Sequence, residues 1–123
     1  TFLQSPKLLD KYYADRRNPL VAFAGQMTGV EGYVESTASG YLAAVAMAAK
    51  VQGRELPDFP KETAIGALGQ YVSDESIENF QPMNINFSII APLEKRIRKK
   101  AEKNLAIAAR SLDVIDRLVA KGI

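Results

Sequence analysis

The chain of 123 residues contains no cysteine and no histidine. The lack of cysteine rules out disulfides, thiolate metal sites and a cysteine nucleophile within it. The lack of histidine removes the side chain that most often titrates near neutral pH and the commonest metal ligand, and with it any Ser–His or Cys–His pair. No catalytic residue and no metal ligand is therefore assigned, and self-sufficient catalysis is not expected. Long apolar runs are missing too. The longest stretch without a polar side chain is Tyr41 to Ala49, far short of the ~20 residues that cross a bilayer, so no membrane partner is expected. No basic segment followed by an apolar stretch opens the chain, so no secretory leader is visible. It begins Thr-Phe-Leu and not with Met, which fits a piece of a longer protein and equally the loss of a few residues from a short one.

What is present suffices for a packed core. Apolar residues make up 47% and charged residues 24%, ordinary values for one small domain. The net charge of +2 hides an uneven distribution, because six of the 16 basic side chains fall between Lys95 and Lys103. Local charge therefore says more about partners than the average does.

Ser5-Pro6 reads as an N-cap with proline at the first helical position, and Leu8, Leu9, Tyr12 and Tyr13 continue at helical spacing to about Arg17. Leu20 to Ala24 is short and uncut by polar residues, as for a strand buried on both faces. A turn with Gly25, Gly29 and Gly32 follows, then a helix over about Tyr33 to Val51. From Ala38 to Ala49 that helix holds six alanines, Gly40 and one strongly polar side chain, Ser39. A helix apolar on every side needs cover on every side, more than so short a chain can arrange, so structural neighbours are expected to lie elsewhere. Leu56-Pro57-Asp58-Phe59-Pro60 marks a boundary. A short helix is predicted over 61–72, weakened by Gly66 and Gly69 at roughly 1 kcal/mol each. A strand is predicted after Pro82, and a long helix from about Leu93 to Lys121. On that last helix Ile97, Ala101, Leu105, Ala108, Leu112, Ile115 and Val119 form one apolar stripe, and the cations Arg96, Lys99, Lys100, Lys103, Arg110 and Arg117 cluster on another face.

Three constellations can carry chemistry. A strand ending in a glycine turn aims the first N–H groups of the next helix at whatever sits above the strand edge. Those donors favour an anion or a polarised carbonyl, by ~0.3–1 kcal/mol at exposed sites, and glycine lets a flat ligand approach. The spacing 25, 29, 32 is not the dinucleotide fingerprint, and a plain strand–helix connection stays open. Second, Asn84 and Asn86 share one side of the predicted strand, with Met83 and Phe87 beside them, and offer donor and acceptor edges to a pterin or uracil. A loop capped by asparagines is the plainer alternative. Third, Arg96, Lys99, Lys100, Lys103 and Arg110 can neutralise RNA phosphates, against the alternative of a solvated face diluted by Glu94 and Glu102. No aromatic interleaves these lysines for base stacking. The acidic pairs Asp74-Glu75 and Asp113/Asp116 read as surface.

The stretch AGQMTGVEGYVESTASG, Ala24 to Gly40, resembles the flavin-contacting motif of the TrmFO/GidA group of flavoproteins, its TrmFO branch in particular. TFLQSPKLLD at the start, ETAIGAL from Glu62 and FQPMNINFSIIAPL from Phe80 are similar to further blocks of that family in the same order. Gln4 and Ser88 depart from the asparagine and glycine expected there. The resemblance implies a cytoplasmic bacterial enzyme that methylates a T-loop uracil of tRNA at carbon 5. Methylenetetrahydrofolate would supply the carbon, and FAD reduced by NAD(P)H the electrons. It implies that Gly25, Gln26, Thr28, Gly29, Val30 and Glu31 lie beside the flavin. It also implies that the pyrophosphate loop and the cysteines lie in an upstream part of the same protein. The expected fold is α/β by origin and mostly helical. Residues 1–53 would form the C-terminal closing strand–turn–helix of a Rossmann-type FAD domain, and residues 54–123 a C-terminal helical portion. The piece alone would be inactive, and its uncovered helix prone to self-association. Two alternatives stay open: a GidA-like modifier of the tRNA wobble uridine, and a non-enzymatic RNA- or protein-binding helical module.

Overall fold

A computed structural model describes all residues from Thr1 to Ile123. It contains a one-turn helix α1 (Ser5–Leu8), a hairpin of β1 (Ala14–Asp15) and β2 (Asn18–Ala22), and helices α2 (Tyr33–Val51), α3 (Ala64–Val72) and α4 (Lys100–Ala120). Single 3-10 turns cover Gln26–Thr28 and Phe87–Ile89. The sheet is two-stranded and antiparallel. The mostly helical content agrees with the sequence reading, whereas no parallel Rossmann sheet is formed by these residues.

Helix α1 stops at Leu8 instead of running on toward Arg17, because the Asp10 carboxylate accepts from the N–H groups of Tyr12 and Ala14, at 2.8 and 3.1 Å. Such a side-chain turn competes with helix. Tyr13 takes a positive φ of 64° inside it and drops its ring into the core. Ser5 is not an N-cap. It is the first helical residue, and its hydroxyl donates to the Thr28 carbonyl at 2.6 Å.

The apolar segment predicted as a doubly buried strand is shifted to Asn18–Ala22 and lies at the surface, with Leu20 69% exposed. Its apolar composition is that of a strand with cover, and the chain supplies none. Helix α2 forms over the predicted span but is covered along one side only. Ser39, Leu42, Ala43, Ala46 and Ala49 point inward, while Val34, Tyr41, Ala44, Ala48 and Val51 face solvent. Its small residues permit close approach of α3. There Gly66 lies against the carbonyls of Phe59 and Pro60, and Gly69 against that of Lys11; a methyl at either would collide with backbone. These glycines, read from sequence as helix weaknesses, are what allows the close packing.

Thr63 caps α3: its hydroxyl accepts from the Gly66 N–H at 3.0 Å and donates to the Pro60 carbonyl at 2.8 Å. The core between these elements comprises Tyr13, Val30, Leu42, Ala43, Phe59, Leu68, Val72 and Phe80. Phe80 packs edge-on to Phe2 and beside Tyr71. Only 23 of 123 residues are buried, so much apolar surface remains uncovered.

The last helix starts at Lys100, not near Leu93. Lys95, Arg96, Arg98, Lys99 and Lys100 would repel one another at helical three- and four-residue spacing, and cations oppose the positive end of a helix. Residues 93–99 are irregular instead. Most of the predicted apolar stripe of α4 faces outward: Leu105, Leu112 and Val119 are exposed, Ile115 packs partly against the core, Ile97 precedes the helix, and Ile107, on the neighbouring face, is the one fully buried residue. No helix is long and apolar enough to cross a membrane.

Candidate functional site

The glycine turn after β2 is held from below. The Gly25 N–H donates to the buried Ser39 hydroxyl at 2.8 Å, and that hydroxyl donates to the Ser36 carbonyl at 2.7 Å. Thr28 Oγ1 donates to the Gly25 carbonyl at 2.7 Å, closing the 3-10 turn. Gly29, with φ of 95°, lies directly on the Phe80 ring, where any side chain would collide. Ser5, Ser39 and Phe80 thus fix the loop. The sequence reading gave none of the three this supporting role, although the one polar side chain in an alanine-rich helix was a usable signal for Ser39.

The loop is also joined to the second constellation. Val30 forms a parallel bridge with Met83: the Met83 N–H donates to the Gly29 carbonyl at 2.9 Å, and the Glu31 N–H to the Met83 carbonyl at 3.0 Å. Asn84 Nδ2 donates to the Glu31 carbonyl at 2.8 Å. Two segments far apart in sequence therefore line one edge. The predicted strand after Pro82 reduces to this single bridge. The Asn86 side chain is engaged locally, capping the 3-10 turn by accepting from the Ser88 N–H at 2.9 Å. Ser88 adopts no positive φ, so no glycine is required there.

Of the six residues proposed for a flavin, Thr28, Gly29 and Val30 are buried in this chain, and Gln26 and Glu31 are exposed. Gly25 has φ of 80° and open space on its side-chain face. Helix α2 begins at Tyr33 after Gly32, which offers no side-chain cap, and its first bond is made by the Ser36 N–H to the Gly32 carbonyl. The amides of its opening turn are therefore free to meet an acceptor. Glu35 stands beside them, its carboxylate accepting from the Ile85 N–H at 3.3 Å. The free amides at the start of α2 are open to an acceptor beside Glu31 and Asn84.

The third constellation is divided. Arg96 and Lys99 precede α4 instead of lying on its face. Arg110 donates to the carbonyls of Ala91 and Pro92 and so ties the irregular segment to α4. Arg117 pairs with Asp113. Lys100 and Lys103 remain free of carboxylate partners. The acidic residues are structural: Asp74 binds both the N–H and the hydroxyl of Ser76, which lowers its pKa, and Glu75 meets Arg16 at 3.2 Å. No group of three His, Cys, Asp or Glu side chains is placed to hold a metal.

Comparison with known proteins adds a family. Residues 1–55 match the family described as glucose inhibited division protein A. Along nearly its whole length the chain is also similar to proteins named methylenetetrahydrofolate–tRNA-(uracil-5-)-methyltransferase TrmFO. It is 50% identical over 121 residues to that of Acetivibrio thermocellus, 51% over 119 to that of Bacillus cereus strain G9842, and 49% over 121 to that of Natranaerobius thermophilus. These alignments take in 97–98% of the chain and 27–28% of each relative, so the chain spans little more than a quarter of their length.

Proposed function

We propose that the chain, whose residues 1–55 match the glucose inhibited division protein A family, forms one wall of the flavin site in a folate- and FAD-dependent tRNA (uracil-5-)-methyltransferase. The observation that carries this reading is the meeting of the Gly25–Glu31 loop with Met83 and Asn84 at the uncapped start of α2. The donor set fits a flavin. Backbone amides suit a ring carbonyl, and the open face of Gly25 admits a flat ring without a clash. When bound, the flavin would supply the redox chemistry and methylenetetrahydrofolate the carbon.

This chain's own residues orient and polarise. The α2 amides would stabilise negative charge on a ring carbonyl, Gln26 would offer an amide edge, and Asn84 would fix the Glu31 backbone. Residues 1–53 act as the closing segment of the FAD domain and residues 54–123 as a helical portion packed on it. A cysteine nucleophile would come from elsewhere in the protein, since none occurs here, and so would the pyrophosphate loop, since the glycine spacing 25, 29, 32 is not the dinucleotide fingerprint. The T-loop uridine as target, NAD(P)H as reductant and a cytoplasmic location belong to the same reading.

Flavin titration of the intact protein carrying this sequence tests it. Gln26→Ala, which removes an exposed amide and disturbs no buried contact, should weaken FAD binding by about threefold or more while leaving the helical circular dichroism unchanged. An intact protein that purifies colourless and takes up no added FAD would sink the proposal.

A further inference from the structure

The residues between Pro92 and α4 build a groove that the flavin reading leaves unused. Phe87, Lys95, Arg96, Arg98, Lys100 and Lys103 line a cavity of about 930 Å3. None of the five cations lies within ion-pair distance of a carboxylate, and Glu94 is the only acidic residue in the lining. The break in helix at 93–99 matters here. On a continuous helix Lys95, Arg96 and Arg98 would radiate around the axis, whereas the irregular segment places them in the same groove as Lys100 and Lys103 from the first turn of α4. Arg110 secures that arrangement through the Ala91 and Pro92 carbonyls. Phe87, 45% exposed, enters the groove from the 3-10 turn and supplies the aromatic absent from the basic stretch itself.

Five uncompensated cations cost stability unless a polyanion neutralises them, and two of them oppose the α4 dipole. An aromatic face within such a groove suits an unstacked base better than a lipid head group.

We infer that this groove is an RNA clamp, with the cations on successive phosphates and Phe87 stacked on one nucleobase. It rests on the proposal that tRNA is the substrate and assigns the surface that holds it. Binding of a tRNA transcript to the intact protein should be measured across a series of salt concentrations. Lys95→Ala/Arg96→Ala/Arg98→Ala should lower affinity by about tenfold or more and flatten the salt slope by about two, at roughly 0.7–0.9 for each phosphate no longer neutralised. The charge-matched control Lys7→Ala/Arg54→Ala/Lys121→Ala should leave both nearly unchanged. Phe87→Leu should weaken binding about fivefold or more without altering the slope. Equal losses in the groove variant and the control would overturn the clamp, as would a groove variant that lost binding only to phosphatidylserine vesicles. A wild-type protein that bound FAD but no tRNA would overturn it as well. A protein without flavin whose tRNA binding still depended on the groove would leave the clamp standing and remove the flavin reading instead.

Discussion

Helices α2 and α4 are nearly equal in length, 19 and 21 residues, yet they are held in opposite ways. Helix α2 buries five side chains against α3 and the core, where the glycines of α3 let the α3 backbone lie against that of Lys11, Phe59 and Pro60. Helix α4 fully buries only Ile107, packs Ile115 and Leu118 partly against the core, and is tied to residues 91–92 by one arginine bonded to two carbonyls. Both leave a second apolar stripe in solvent. A low-polarity helix and a highly charged one thus expose comparable apolar faces. Composition alone does not tell which stripe a helix buries; the available partner does.

That contrast predicts graded effects in the isolated chain. Leu42→Ala, beneath α2, should cost about 2–5 kcal/mol in urea unfolding, through reduced burial and the cavity left behind. Arg110→Met should cost about 1–3 kcal/mol and should speed hydrogen exchange of residues 91–99 before the rest of the chain. A uniform acceleration would instead show that α4 is integral to the main core.

The packed region also has an alkaline limit. Burial pushes the Tyr13 phenol well above its ordinary pKa of 10.0, and its hydroxyl has no partner. The folded form therefore keeps it neutral while the unfolded chain ionises. Its contribution is intact below about pH 10 and is lost as pH rises toward the folded pKa, by up to about 1.4 kcal/mol per pH unit. Tyr13→Phe should remove that slope, as seen in urea midpoints between about pH 9 and pH 11. The smallest effects belong to the outer stripes. Tyr41→Glu on α2 and Leu112→Glu on α4 should each change stability by less than about 0.5 kcal/mol. A decrease above about 1 kcal/mol at only one of them would mean that the two outward faces are not equivalent.

Much of the fold was legible where signals were local. The bounds of α2 followed from Gly32 and the alanine-rich run, and α3 from the boundary at Pro60. The start of α4 was misplaced because apolar periodicity continued through residues where charge repulsion prevailed. The long first helix failed for a similar reason, since Asp10 diverted the backbone into a turn. At the candidate site the glycine turn could be read directly, but its junction with Met83 could not. That junction depends on a backbone bridge between segments far apart in the chain.

By itself the sequence determined the missing chemistry, the glycine turn and the surplus of apolar and cationic surface, since these depend on which side chains exist and on their spacing. Tertiary structure alone decided that Asn84 meets Glu31, that Phe80 supports Gly29, and that Phe87 joins the cations of residues 95–103. Each of those meetings joins groups whose nearness depends on how the intervening chain packs, and no local pattern of residues encodes it.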